Sequence, residues 1–407
     1  MVMRISGGVL SYVLAISLLM SVGLSMLTLY VYYARMEQIH YLTRIRLQKN
    51  LASGIQMTLG EYDHFEYDRP YDFDLYGEEQ DSISILRRAW GLLDQYRVTA
   101  YKGNQEVSRS YTLAHRPEDK GRSAVFLVDD GRPLSLVGDT RLIGDCYLPV
   151  SGVQSAYINR VGYTSDSLIY GTELKSEKKL PEVTLSDAFG RMEQLEGVQL
   201  EQDNDTLINS FEADLVEVKA GNAGVNKVYS GHVLITSQSR LIFDTLASTT
   251  DIVAYAPVIE FLSGFQGNGQ FFATDTIIVH DNVKLTYPTV LATYNRNDLA
   301  TIQTRGKCEI TGWLLMDGSK DGFRRRVIYL EDGTQFRGMI YCNGMLETYG
   351  TVEGHVTVKR FLVNAQTGVY ENYLFNATID GTQLDTAFLA LSQWFYKKES
   401  KVLKYLN

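Results

Sequence analysis

From Ile5 to Ala34 the chain (ISGGVLSYVLAISLLMSVGLSMLTLYVYYA) runs thirty residues without a charged side chain, and no later segment matches it for length or apolarity. Leu, Met, Val and Tyr surround the whole helical circumference instead of marking one face, which separates this run from an ordinary core helix. A bilayer core about 30 Å thick needs roughly 20 apolar residues in a helix, and the apolar region of a secretory signal peptide has only about 7 to 15. The pattern predicts a transmembrane helix with Tyr30, Tyr32 and Tyr33 at its interfacial end. From Arg35 to Leu59 there is no proline, and Ile39, Leu47, Leu51, Ile55 and Leu59 fall along one broad helical face. The helix is therefore expected to continue past the membrane as an amphipathic stalk.

After residue 60 the period changes. Glu61 to Asp81 interleaves acids with aromatics and reads as an irregular linker that packs its rings locally. From Ser82 onward, short alternating runs (Ser82–Leu86, Tyr96–Ala100, Ser108–Leu113) read as strands of a small β module. Four glycine units then recur in β-rich surroundings: Gly138 to Gly144, Gly306 to Gly312, Gly333 to Gly338 and Gly350 to Gly354. Glycine permits tight corners while alternating Val, Ile, Leu and Thr point inward, which is the logic of a coil whose rungs pair with those above and below. The expected fold class is mainly β, a solenoid of the right-handed β-helix type carried on a transmembrane helix, with a β-sandwich as the alternative. The expected organisation is 1–34 flank and membrane helix, 35–60 stalk, 61–125 linker and small module, and 126–174 a β segment. There follow an insertion at 175–230 with a helix over Leu185–Leu195, the solenoid at 231–385, and a capping segment at 386–407 read as a terminal helix.

Charge and chemistry narrow the function. The net charge is −9, but the first sixty residues hold five basic groups and one acid, so the remainder carries −13. Such a domain gains nothing from phosphate backbones, and nucleic acid is not expected as a partner. Cys146, Cys308 and Cys342 are too few for a disulfide framework, and a reduced, buried role is expected of each. The six histidines are dispersed without metal-ligand pairing, and Asp68, Asp72 and Asp74 lack calcium-loop spacing. No nucleophile elbow, phosphate loop or dinucleotide fingerprint is present in the sequence. Asp251, Asp275 and Asp281 fall in successive strand-rich segments, as the paired carboxylates of a polysaccharide-cleaving β-helix would. The cluster Arg324, Arg325, Arg326 reads as a loop between rungs.

A membrane span prolonged by an amphipathic helix resembles the stem of type IV pilins and pseudopilins, and Arg4 followed by Gly7 and Gly8 is compatible with their short basic leader. Where most members carry a glutamate five residues after the processed glycine, this chain has Tyr12 or Val13. The glycine units between about 230 and 385 are similar to those of bactofilins, which implies a stackable scaffold. The resemblance implies a non-enzymatic, structural subunit of a bacterial envelope assembly, in a homo- or hetero-oligomer held through the stem. In that reading Gly7, Gly8 and Gly23 allow close helix approach, and Ile39, Leu47, Leu51, Ile55 and Leu59 pack on neighbouring stems. No cofactor, metal or catalytic residue is expected. The basic flank at Arg35, Arg44, Arg46 and Lys49 by itself places the large domain inside, whereas a composition rich in Tyr, Asn, Asp, Thr and Gly points to an exported domain, the placement expected here. The competing expectation is an anchored carbohydrate-active enzyme or a binding module for envelope glycan.

Overall fold

The computed structural model describes residues 7–75, 77, 81–118, 122–183, 185–199, 205–221, 224–295, 299–318, 322–394 and 397–406. Residues 1–6, including Arg4 of the expected leader, lie outside the described residues. The chain is mainly β with one long apolar helix at its N-terminal end. It divides into two compact units, Met1–Leu86 with Arg97–Arg109, and Arg87–Tyr96 with Ser110–Asn407.

In the first unit, helix α1 (Gly7–Gly60) runs 54 residues without interruption, about 80 Å at 1.5 Å per residue. The absence of proline allows that length. Its last turns bury one face, comprising Leu47, Asn50, Leu51, Ile55 and Thr58. Gly54 lies on this face, and a Cβ there would strike Val98 and Ile83, so glycine lets the helix settle directly onto strand side chains. Those side chains follow the period-2 alternation of strands: Ile83, Ile85, Val98 and Ala100 are all fully buried. The strand Pro70–Asp74 pairs antiparallel with Ser82–Leu86. The expected linker therefore contains an ordered strand, and its rings do pack locally, Phe65 lying 5.4 Å from Tyr71 and 6.4 Å from Phe73.

The second unit is built on a closed parallel sheet. The long strands Ser248–Phe261, Gln266–Val279, Lys284–Asn295, Glu309–Gly318, Gln335–Thr348 and Thr351–Ala365 follow one another, each paired in parallel with the next. Their register stacks like residues into columns. One column runs Leu241, Ile259, Ile277, Ile302, Ile328, Leu346, Phe361. A second runs Ala254, Phe271, Leu291, Leu314, Ile340, Val356. Both columns belong to one continuous buried cluster. At the corner between strand segments, Gly312, Gly338 and Gly354 stack in register with φ of 150°, 145° and 151°. A Cβ on any of them would overlap the carbonyl oxygen of the residue stacked before it, so the repeated glycine unit marks a place where only hydrogen fits.

Alternate residues on the same strands face outward and are buried too: Val253, Phe272, Val290, Trp313, Leu315 and Met339 form a second cluster. Parallel sheets need cover on both faces. Helix α2 (Ser186–Gln194) supplies part of it through Ala188, Phe189 and Met192, and Phe388, Leu391 and Trp394 supply more.

Two expectations are corrected here. The insertion at 175–230 does contain the predicted helix, but Thr206–Asn209, Val216–Lys219 and Val228–Gly231 are parallel strands of the main sheet. The capping segment at 386–407 holds no terminal helix among its described residues. Its apolar part covers the outer face, with Phe388 4.9 Å from Tyr287 and 5.4 Å from Trp313, and Lys397–Leu406 is a strand antiparallel to the strand Gln105–Pro117, in register with residues 110–117. The β segment at 126–174 extends the far end of the ladder: Val125–Leu127 pairs with Val356–Val358, and Arg141–Ile143 with Thr378–Asp380.

Candidate functional site

The sequence singled out α1, and the structure splits its residues into two groups. Within the apolar half every residue from Val9 to Tyr33 that carries a large hydrophobic side chain is exposed, among them Leu19 and Tyr30 at 71% each. By length and composition this helix is able to cross a membrane. Gly8 and Gly23 have open space around them, and Ile39 remains 57% exposed. Gly7 opens the helix.

Leu47, Leu51 and Ile55 behave differently. They are 1%, 5% and 8% exposed, on the face seated on strands of their own unit, so the expectation that they pack on neighbouring stems is corrected. Leu59 is half-buried. A stripe at helical spacing shows that a face needs cover and does not say what provides it. Polar contacts fix the same seat: Asp81, only 1% exposed, pairs with Arg46 of the helix and lies 3.7 Å from Lys102, while Gln105 bonds to His40.

The candidate carboxylates are not brought together. Asp251 accepts both its contacts from Lys404 Nζ at 2.8 and 2.6 Å. Asp281 accepts from the Lys307 amide at 2.7 Å, stabilising a turn. Asp275 accepts from the Thr276 hydroxyl at 3.2 Å and lines a cleft of about 300 Å³ beside α2, with Phe189, Glu193 and Tyr294. That cleft has no signal along the chain, because α2 and the sheet strands meet there only in the folded protein. Asp74 accepts from the Gly77 amide at 3.1 Å, and no metal-holding group of three His, Cys, Asp or Glu occurs among the described residues.

The arginine triplet also divides. Arg326 is fully buried in a strand, its Nε donating to the Asn343 carbonyl at 2.8 Å. Arg324 joins a surface network in which Glu371 meets Arg132 at 3.1 Å and Arg360 at 2.5 Å, and Arg360 reaches Asp130 at 2.8 Å. Partial burial works to raise the Glu371 carboxyl, but these guanidinium groups outweigh it and hold the group below its ordinary value. This is a clamp between chain segments far apart in sequence.

All three cysteines are free and buried, and burial pushes the Cys146 and Cys342 thiols up to about 12, which makes them poor nucleophiles. Two histidines serve packing. His232 stacks on Phe211 at 5.3 Å and meets Trp90 edge-on at 5.0 Å, and His355 contacts the Ser123 carbonyl through Nδ1 at 3.0 Å. A polar side chain missed from sequence is Gln270, 2% exposed, whose amide donates to the Trp90 carbonyl at 2.7 Å and accepts from the Leu92 amide at 2.8 Å. No protein-family model, curated protein or solved structure matches the chain.

Proposed function

We propose that the protein is a single-pass, membrane-anchored structural subunit of a bacterial envelope assembly, with a pseudopilin-like stem and its large domain on the extracytoplasmic side. The observation that carries this reading is the split of α1. One unbroken helix leaves its first half apolar and uncovered while its last turns are seated in a folded unit. Burying a large apolar side chain is worth about 1.5 to 3 kcal/mol, so a helix half made of such residues requires lipid or other helices around it. Past the apolar run, Met36, Ile39 and Leu42 remain exposed at 37%, 57% and 56%, a short apolar strip suited to a neighbouring stem.

The second unit fits the same role. Its parallel ladder with stacked columns and glycine corners is read as a β-solenoid, a rigid spacer whose residues are committed to packing. The absence of convergence among Asp251, Asp275 and Asp281 leaves the polysaccharide-cleaving alternative without support from geometry.

Protease added outside cells whose outer barriers have been removed tests the placement. Digestion of the region beyond residue 60, with a membrane-protected fragment containing residues 7 to 34, is expected. Full protection of the large domain, or its release into the soluble fraction without cleavage, overturns the reading.

A further inference from the structure

The cleft beside α2 has a construction that the structural role does not use. Phe189 holds the helix off the sheet, its ring 5.4 Å from Phe272 and 5.7 Å from Tyr294. The floor lies on adjacent parallel strands. Ala256 pairs with Ala273 and Val258 with Thr276, so Pro257 stands opposite two residues, Thr274 and Asp275. Proline has no amide hydrogen for the ladder, and a bulge is where a sheet tolerates that loss. Bulges also re-aim a side chain, and Asp275 lines the cleft at this one.

We propose that this cleft is a binding site for an uncharged saccharide. Its lining combines an apolar platform, Tyr294 and Pro257, with the carboxylates of Glu193 and Asp275 and the side-chain amide of Asn295. Sugars present apolar C–H faces and a surplus of hydroxyl donors. Carboxylates are acceptors only, so they match hydroxyl donors, and hydrogen bonds to a charged acceptor are the stronger class. None of the described lining residues is basic, so the described lining, with its two carboxylates, favours an uncharged ligand over a phosphorylated, sulfated or uronic one. Glu193 is positioned by the Tyr255 hydroxyl, which donates to it at 3.3 Å. A volume of about 300 Å³ stands at the small end of ligand sites, roughly 300 to 1,000 Å³, and suits a short stretch of glycan instead of a long groove-bound chain. The inference is independent of the stem: a monomeric protein would carry the same cleft.

The test is calorimetric titration of the full-length chain in nanodiscs, which avoids sugar-headed detergents, with chitotetraose, cellotetraose and the anionic tetragalacturonate. Saturable binding of at least one of the two uncharged oligosaccharides is expected, with none for tetragalacturonate. Asp275→Asn and Glu193→Gln should each weaken that binding at least tenfold while thermal melting stays unchanged, and Tyr294→Ala should abolish it. Failure of both uncharged oligosaccharides to bind, a preference for the anionic one, or unaltered affinity in Asp275→Asn and Glu193→Gln would overturn the proposal.

Discussion

Gly354 stands opposite Gly338 in the parallel ladder, and a Cβ added to it would overlap the Gly338 carbonyl oxygen. Gly338 has the same relation to Gly312. An L side chain at Gly338 must therefore adopt a φ near 145° and also push two rungs apart. Gly338→Ala is expected to cost at least about 2 kcal/mol, seen as a lowered melting temperature. Gly190, inside α2 with open space around it, is the control: Gly190→Ala should stabilise by about 0.5 to 1 kcal/mol. Equal effects at the two positions would remove the steric account of the corner.

These glycines also show what the sequence was able to announce. The units starting at Gly333 and Gly350 are seventeen residues apart, and the strands that carry them do pair in parallel, a relation that local repetition signals without any knowledge of distant partners. The helix Ser186–Gln194 was legible for the same reason, its apolar face being written within nine residues. What escaped were pairings between distant segments. Lys397–Leu406 looks like a basic terminal helix until residues 110–117 are set beside it, and Val125 joins the ladder at Val356 with no local sign that it should. Leu51 and Ile55 were read correctly as needing cover, but their cover comes from strands of their own unit. The cleft beside α2 depends on a bulge, which period-2 patterning conceals.

Asp81 is buried between Arg46 and Lys102. Removing its carboxylate breaks both pairs, but Arg46 and Lys102 are 45% and 28% exposed and are solvated without it, so the cost is about 1 kcal/mol. Asp81→Asn should raise amide hydrogen exchange along residues 43–60 of α1 and leave exchange in the strand Gln335–Thr348 unchanged. Uniform loosening of both regions would show that the first unit has no stability of its own to lose.

His355 is 4% exposed, and burial lowers its pKa from 6.5 to about 4. The neutral ring donates to the Ser123 carbonyl, beside the strand Val125–Leu127 that pairs with Val356–Val358. The folded state resists protonation that the unfolded chain accepts, so stability falls as pH drops from about 6.5 to about 4, by up to about 3 kcal/mol. Below that window the folded protein takes the proton as well and the slope flattens. His355→Gln, which retains a donor without a titrating ring, should reduce the dependence of melting temperature on pH between 6.5 and 4. A residual slope is expected from His232, whose pKa burial also lowers. An unchanged slope in the double variant His355→Gln, His232→Gln would refute the assignment.

Association through the exposed strip of α1 is the central claim, and oxidative cross-linking in native membranes tests it most directly. Cys146, Cys308 and Cys342 are free and buried, so Ile39→Cys adds the one accessible thiol at a residue that is 57% exposed. Mild oxidation should convert a large share of this variant to disulfide-linked species containing two stems, and the parent chain should remain uncross-linked. An Ile39→Cys chain that reacts with a maleimide in the membrane yet stays monomeric under oxidation would contradict the account.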